Sequence, residues 1–104
     1  MEKAPRRSKY RNVVTWVGDQ RFDSKREARY FEQLMLRYRA GDLAWRPIRQ
    51  CPFHLPGGVR YVVDFVFQDR DGIHFVDVKG HATAVYRIKR KQVEDLYGVK
   101  IEEA

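Results

Sequence analysis

The sequence predicts an α/β domain in which a mixed β-sheet is flanked by two helices, with elements in the order ββ-α-βββ-α-β. Three observations carry this. Two apolar, β-branched runs, "VRYVVDFVFQ" (59–68) and "IHFVDVKG" (73–80), are separated only by "DRDG" and read as a hairpin. Segments 23–41 and 83–98 have helix-forming interiors with start and stop residues at their ends. A strand, a helix and a strand then follow one another at the C-terminal end, which favours a parallel final pairing and therefore a mixed sheet.

Taken in order, residues 1–11 carry Lys3, Arg6, Arg7, Lys9 and Arg11 among few apolar residues and read as a basic arm ahead of one domain, 12–104. "VVTWV" (13–17), Gly18-Asp19 and "QRF" (20–22) form a short hairpin. In "DSKREARYFEQLMLRYRAG" (23–41), Ser24 and Glu27 fit a capping box and Gly41 is the stop. "LAWRPIRQCPFHLPGG" (43–58) is extended, and Pro47, Pro52 and Pro56 restrict any strand there to a sheet edge or a bulge. Thr83 opens the second helix and Gly98 lies just past its end. "VKIEE" (99–103) is the last strand.

Composition bounds the function. Lys and Arg number 21 against 14 Asp and Glu, a formal net charge of +7, which favours a polyanionic partner, above all nucleic acid. Cys51 is the single cysteine, so the chain holds no internal disulfide, and a reducing, cytoplasmic setting is expected. No apolar run approaches the ~20 residues of a membrane span.

The apolar strands contain charges that packing does not explain. With a turn at 69–72, Gln68 faces Ile73 and the pairing steps inward until Asp64 stands opposite Asp77. Opposed side chains share one face, about 4.5–5.5 Å apart at Cβ, and like charges there repel. Lys79, two residues beyond Asp77, points to the same face. On the first helix, Phe31, Leu34 and Tyr38 lie within roughly 40° of Glu27, so Glu27 belongs to the stripe that packs on the sheet. Three carboxylates and one lysine are thus expected to converge. Carboxylate oxygens suit Mg²⁺ or Mn²⁺, which would cancel the repulsion and stabilise charge on a phosphoryl group. The plainer readings are a capping glutamate at Glu27, solvated Asp64 and Asp77, and a surface lysine at 79.

"VVDFVF" followed by "VDVKG" resembles the motif of the PD-(D/E)XK nuclease superfamily, and "DSKREARYFEQL" looks like the helix that supplies its upstream glutamate. The chain is similar, over roughly residues 9–103, to a small phage-associated group in that superfamily, which also includes Holliday junction resolvases. The resemblance implies a restriction-endonuclease-like core, Mg²⁺-dependent cleavage of DNA, and metal ligation by Asp64, Asp77, Glu27 and the backbone carbonyl of Val78, with Lys79 as the catalytic lysine. Val63 stands where the family often has proline. A chain this short favours recognition of a DNA shape (a branch, flap or nick) over a long sequence. A resolvase-like activity would suit a two-fold homodimer.

DNA contacts are expected from Arg6, Arg7, Lys9 and Arg11 of the arm, from Lys25, and from Tyr86, Arg87, Lys89, Arg90 and Lys91 on the second helix. Cys51 and His54 make a lone C-x-x-H, too few ligands for structural zinc, and His74 and His81 are scattered. Trp16 and Trp45 are expected to pack in the core or at a sheet edge. The alternative function is a non-catalytic nucleic-acid-binding module, with exposed Tyr61, Phe65, Phe67 or Phe75 stacking on bases.

Overall fold

The computed structural model describes residues 13–78 and 83–104. The elements are β1 (Thr15–Val17), β2 (Gln20–Phe22), α1 (Lys25–Arg39), β3 (Ile48–Leu55), β4 (Val59–Asp69), β5 (Gly72–Asp77), α2 (Ala84–Tyr97) and β6 (Ile101–Glu103). Their order is the expected one. β1 and β2 form a separate two-stranded ribbon, while the main sheet runs β3-β4-β5-β6. β3, with Pro52 in it, is an edge strand, where a missing N–H can face away from the ladder. β6 pairs with β5 in parallel, through the α2 crossover.

Local chemistry sets the boundaries. The Ser24 side chain accepts from the Glu27 N–H at 3.1 Å, and Thr83 does the same for Tyr86 at 3.1 Å. Gly98 closes α2 in the left-handed conformation, φ 68°, its N–H donating to the Glu94 carbonyl. The β4–β5 turn is tighter than the expected 69–72, lying on Arg70 and Asp71, with Asp69 paired to Gly72 and Gln68 to Ile73, so the register is the expected one. The strand expected over 73–80 ends at Asp77, and residues 79–80 lie outside the described residues.

The helices cover opposite faces of the sheet. Phe65 and Phe67 of β4 join Val76 and Val78 in a core with Phe22, Ala28, Phe31, Leu34 and Met35. Val66, between them, faces the other core, with Phe53, Leu55, Tyr61, Val63, Val93 and Ile101. The α1 stripe differs from expectation at its end, since Tyr38 in the last turn is exposed and Met35 takes the buried place. Trp16 is also exposed, at 61%, because Val17 packs on the core and a strand sends its neighbour outward. Trp45 is half-buried and its indole N–H donates to Gln68 at 2.9 Å. The ribbon is tied down by Arg49, whose guanidinium lies 3.7 Å above the Phe22 ring and donates to the Gln20 side chain and the Arg21 carbonyl.

A candidate acid-pair site where two strands part

β4 and β5 pair from the turn as far as Phe65 and Val76. One step further, the ladder gives way to side chains. The Asp64 N–H donates to Asp77 Oδ1 at 3.0 Å, and the Val78 N–H donates to Asp64 Oδ2 at 2.9 Å. Each carboxylate thus takes up a backbone N–H on the other strand. Asp64 is 5% exposed and Asp77 0%. The two acids therefore stand side by side in the expected register, inside the protein.

The approach to Asp64 is irregular in a specific way. On β3 and β4, Cys51 and Val63 side with the α2 core, yet Arg49 and Phe65, two residues along, side with the α1 core. The register is unchanged across this step, with Arg49 opposite Phe65 and Cys51 opposite Val63. Alternation therefore slips in both strands at Gln50 and Asp64. Gln50 takes φ 53°, a left-handed value that costs a non-glycine residue of order 1–3 kcal/mol and concentrates at functional sites. Its side-chain amide donates to Asp64 Oδ1 at 3.3 Å. Such irregularities re-aim a side chain out of a strand's regular alternation.

Asp77 has a second donor. The Tyr61 hydroxyl donates to Asp77 Oδ2 from within the α2-side core. Burial first, then this hydrogen bond and the Asp77 charge, push the Tyr61 hydroxyl far above the ordinary phenol range, so it stays protonated. Tyr86 is pushed up to about 12, chiefly by burial. Its hydroxyl is hydrogen-bonded to Tyr61 and donates to Glu103 at 3.1 Å, while Arg90 reaches Glu103 at 2.9 Å. Glu103 is itself the ladder partner of Asp77. Sequence reasoning missed Tyr61, Gln50 and Glu103 as site residues. From sequence Tyr61 is expected only as an exposed aromatic stacking on bases, Gln50 falls in the proline-punctuated segment 43–58, and Glu103 comes beside Asp77 only through the parallel pairing.

Glu27 is buried in the first turn of α1, beside Ala28. Among the described residues, no three His, Cys, Asp or Glu side chains are grouped to hold a metal, while the hydrogen bonds bring Asp64 and Asp77 together. Lys79, Arg6, Arg7, Lys9 and Arg11 lie outside the described residues. Lys25 is exposed at the start of α1. On α2, Arg87 and Lys91 are exposed, one turn apart. Arg90 is turned to Glu103, Lys91 lies 3.8 Å from Asp95, and Lys89 projects from nearly the opposite side to Arg87 at about 100° per residue. The expected basic cluster is therefore split, and Tyr86 faces inward to Tyr61 and Glu103. The aromatic platform of the binding-module reading is absent, because Tyr61, Phe65 and Phe67 are core residues and Phe75 is half-buried.

The class defined at this point is an α/β domain with a buried acid pair where two strands of a mixed sheet diverge. The chain belongs to the family described as a protein of unknown function (DUF1064), whose pattern it matches over residues 7–102. Comparison with curated proteins finds no match. No helix among the described residues is long and apolar enough to cross a membrane.

Proposed function

We propose that this chain is a metal-dependent DNA endonuclease that hydrolyses phosphodiester bonds and selects its substrate by DNA structure, such as a branch, nick or flap. The observation that supports it most is the buried Asp64–Asp77 pair. Capping two backbone N–H groups does not require charge, since an asparagine carbonyl accepts the same bond. Two neighbouring buried carboxylates repel, which a divalent cation offsets. Carboxylate oxygens carry two lone pairs each and are hard donors, so the pair is of the type that suits a hard cation.

In this reading Asp64 and Asp77 hold Mg²⁺, or Mn²⁺ in its place, with the Val78 carbonyl beside them and Glu27 as a further acid. The ion supplies positive charge against the scissile phosphate. Lys79 orients the attacking water and balances charge on the phosphate. The net charge of +7 supports DNA as the partner, and exposed Arg87, Lys91 and Lys25 with the basic arm supply phosphate contacts. A homodimer and a cytoplasmic setting belong to the same reading.

Incubation with linear, nicked and four-way branched DNA, with and without Mg²⁺, tests it beside Asp77→Asn. The amide keeps the side chain's shape and a carbonyl acceptor but removes the charge. Wild-type cleavage that needs Mg²⁺ and vanishes in a folded Asp77→Asn protein is the expected result. Cleavage by neither protein on any substrate would overturn the reading.

A further inference from the structure

We propose that Tyr61 is a positioning residue for Asp77, and that Tyr86 holds Tyr61 in place, so that α2 and the acid pair are joined by one hydrogen-bonded chain. This rests on the metal-site reading above and names residues that reading does not use. The starting point is a hydroxyl that packing does not need. Tyr61 is 5% exposed in the α2-side core, where phenylalanine would fill the same space without a polar atom to satisfy. Its hydroxyl instead donates to Asp77 Oδ2, while Oδ1 accepts from the Asp64 N–H. Two donors from different parts of β4 define the plane of the Asp77 carboxylate and decide which lone pairs stay open toward Asp64.

The chain continues outward. The Tyr61 and Tyr86 rings lie 6.0 Å apart and their hydroxyls are hydrogen-bonded. Each phenol has one proton. That of Tyr86 goes to Glu103, so that of Tyr61 is shared between Asp77 Oδ2 and the Tyr86 oxygen. Arg90 closes the outer end, 2.9 Å from Glu103 and 5.5 Å from the Tyr86 ring centre. Tyr86 and Arg90 are one turn apart on α2, and Glu103 lies beside Asp77 on β6. A shift of α2 is thereby felt at Asp77 through two hydroxyls. Partners that orient a metal ligand typically change metal affinity or activity 10–100-fold when removed.

The test uses the full chain as wild type, Tyr61→Phe and Tyr86→Phe. Mn²⁺ binding is measured without DNA by electron paramagnetic resonance, and DNA cleavage is followed across a Mg²⁺ titration. Tyr61→Phe is expected to weaken Mn²⁺ binding by about 10-fold or more and to raise the Mg²⁺ concentration for half-maximal cleavage by a similar factor, with the rate largely restored at saturating metal. Tyr86→Phe should move both midpoints the same way by a smaller factor. A merely structural hydroxyl would lower the melting temperature without a metal-dependent rescue. If wild type binds Mn²⁺ and folded Tyr61→Phe binds it equally well, the inference fails and the metal site stands. If wild type binds no Mn²⁺, both fail. Should Tyr61→Phe not fold, Tyr86→Phe decides, and unchanged midpoints there overturn the proposal.

Discussion

At the scale of single residues, the burial of Asp64 and Asp77 is the feature that demands an explanation. Hydrogen bonds from the Asp64 and Val78 N–H groups answer part of the demand, because an orphaned buried N–H is costly. They do not in themselves require two carboxylates side by side, and the chemistry proposed for the site grows from that pairing. Lys79 follows the pair by sequence, two residues beyond Asp77. Lys79→Arg keeps a positive charge but replaces a compact ammonium with a planar fork, so it should retain folding and DNA binding while losing most activity. Lys79→Ala should lose at least as much, on the order of a hundred-fold or more in rate. Single-turnover cleavage at saturating Mg²⁺ checks both. A parent rate in Lys79→Ala would leave the lysine as an ordinary surface residue.

At the scale of elements, two parts of the molecule make distinct predictions. On α2, Arg87 and Lys91 lie exposed one turn apart, and Arg90, less exposed, is turned to Glu103. Reversing the charge at 87 and 91 together should weaken binding to unrelated DNA sequences alike and flatten the dependence of affinity on salt. Reversal at Lys89 alone should do less, and binding isotherms from about 50 to 200 mM salt would measure both. Across the β4–β5 turn and β6, His74 bridges Glu102 at 2.7 Å and Asp69 at 2.8 Å, stacks on Phe67, and shares Asp69 with Arg37. The hydrogen bond from His74, aided by Arg37 and the Asp71 N–H, lowers the Asp69 carboxyl from 3.8 to about 2. The hydrogen bonds to Glu102 and then Asp69 raise His74 above 6.5. A lowered acid contributes stability above its unfolded value and loses it as pH falls through the folded one. A raised histidine contributes fully below 6.5 and loses its share as pH climbs through its higher folded value. The bridge is therefore strongest between about pH 4 and 6.5. The melting temperature should decline on the alkaline side of this window, and His74→Gln should flatten that decline. An unchanged pH profile in the variant would contradict the bridge.

At the scale of the whole molecule, the sheet separates two cores, and Phe65 stands at the centre of one. It is fully buried, 5.4 Å from the Tyr30 ring and 6.3 Å from Phe31, and it directly follows Asp64. Phe65→Ala should cost about 3–5 kcal/mol, a large share of the stability of a domain this size. Chemical denaturation measures it, with loss of less than about 1 kcal/mol arguing against a load on this ring. The α2 side is lighter, with Val93 as the buried anchor of the helix and Val85, Ile88 and Leu96 left exposed. The hydrogen-bonded chain from Tyr86 to Asp77 therefore joins a thinly packed helix to a fully buried acid.

Much of this was legible in the chain itself because it depends on neighbours in sequence. The caps Ser24, Thr83 and Gly98 act within one helical turn, and the short turn at Arg70-Asp71 sets a register that brings Asp64 beside Asp77. The edge position of β3 follows from the missing N–H of Pro52. Only the tertiary structure decided the rest. The slip of alternation at Gln50 and Asp64 arises between two paired strands, and nothing in either strand alone announces it. The inward turn of Tyr86 and Arg90, read from sequence as DNA contacts, depends on Glu103 arriving beside Asp77 through a parallel pairing made after a helix. Nearest-neighbour chemistry sets elements and register, whereas the partner of each polar side chain is settled by which distant strands and helices meet.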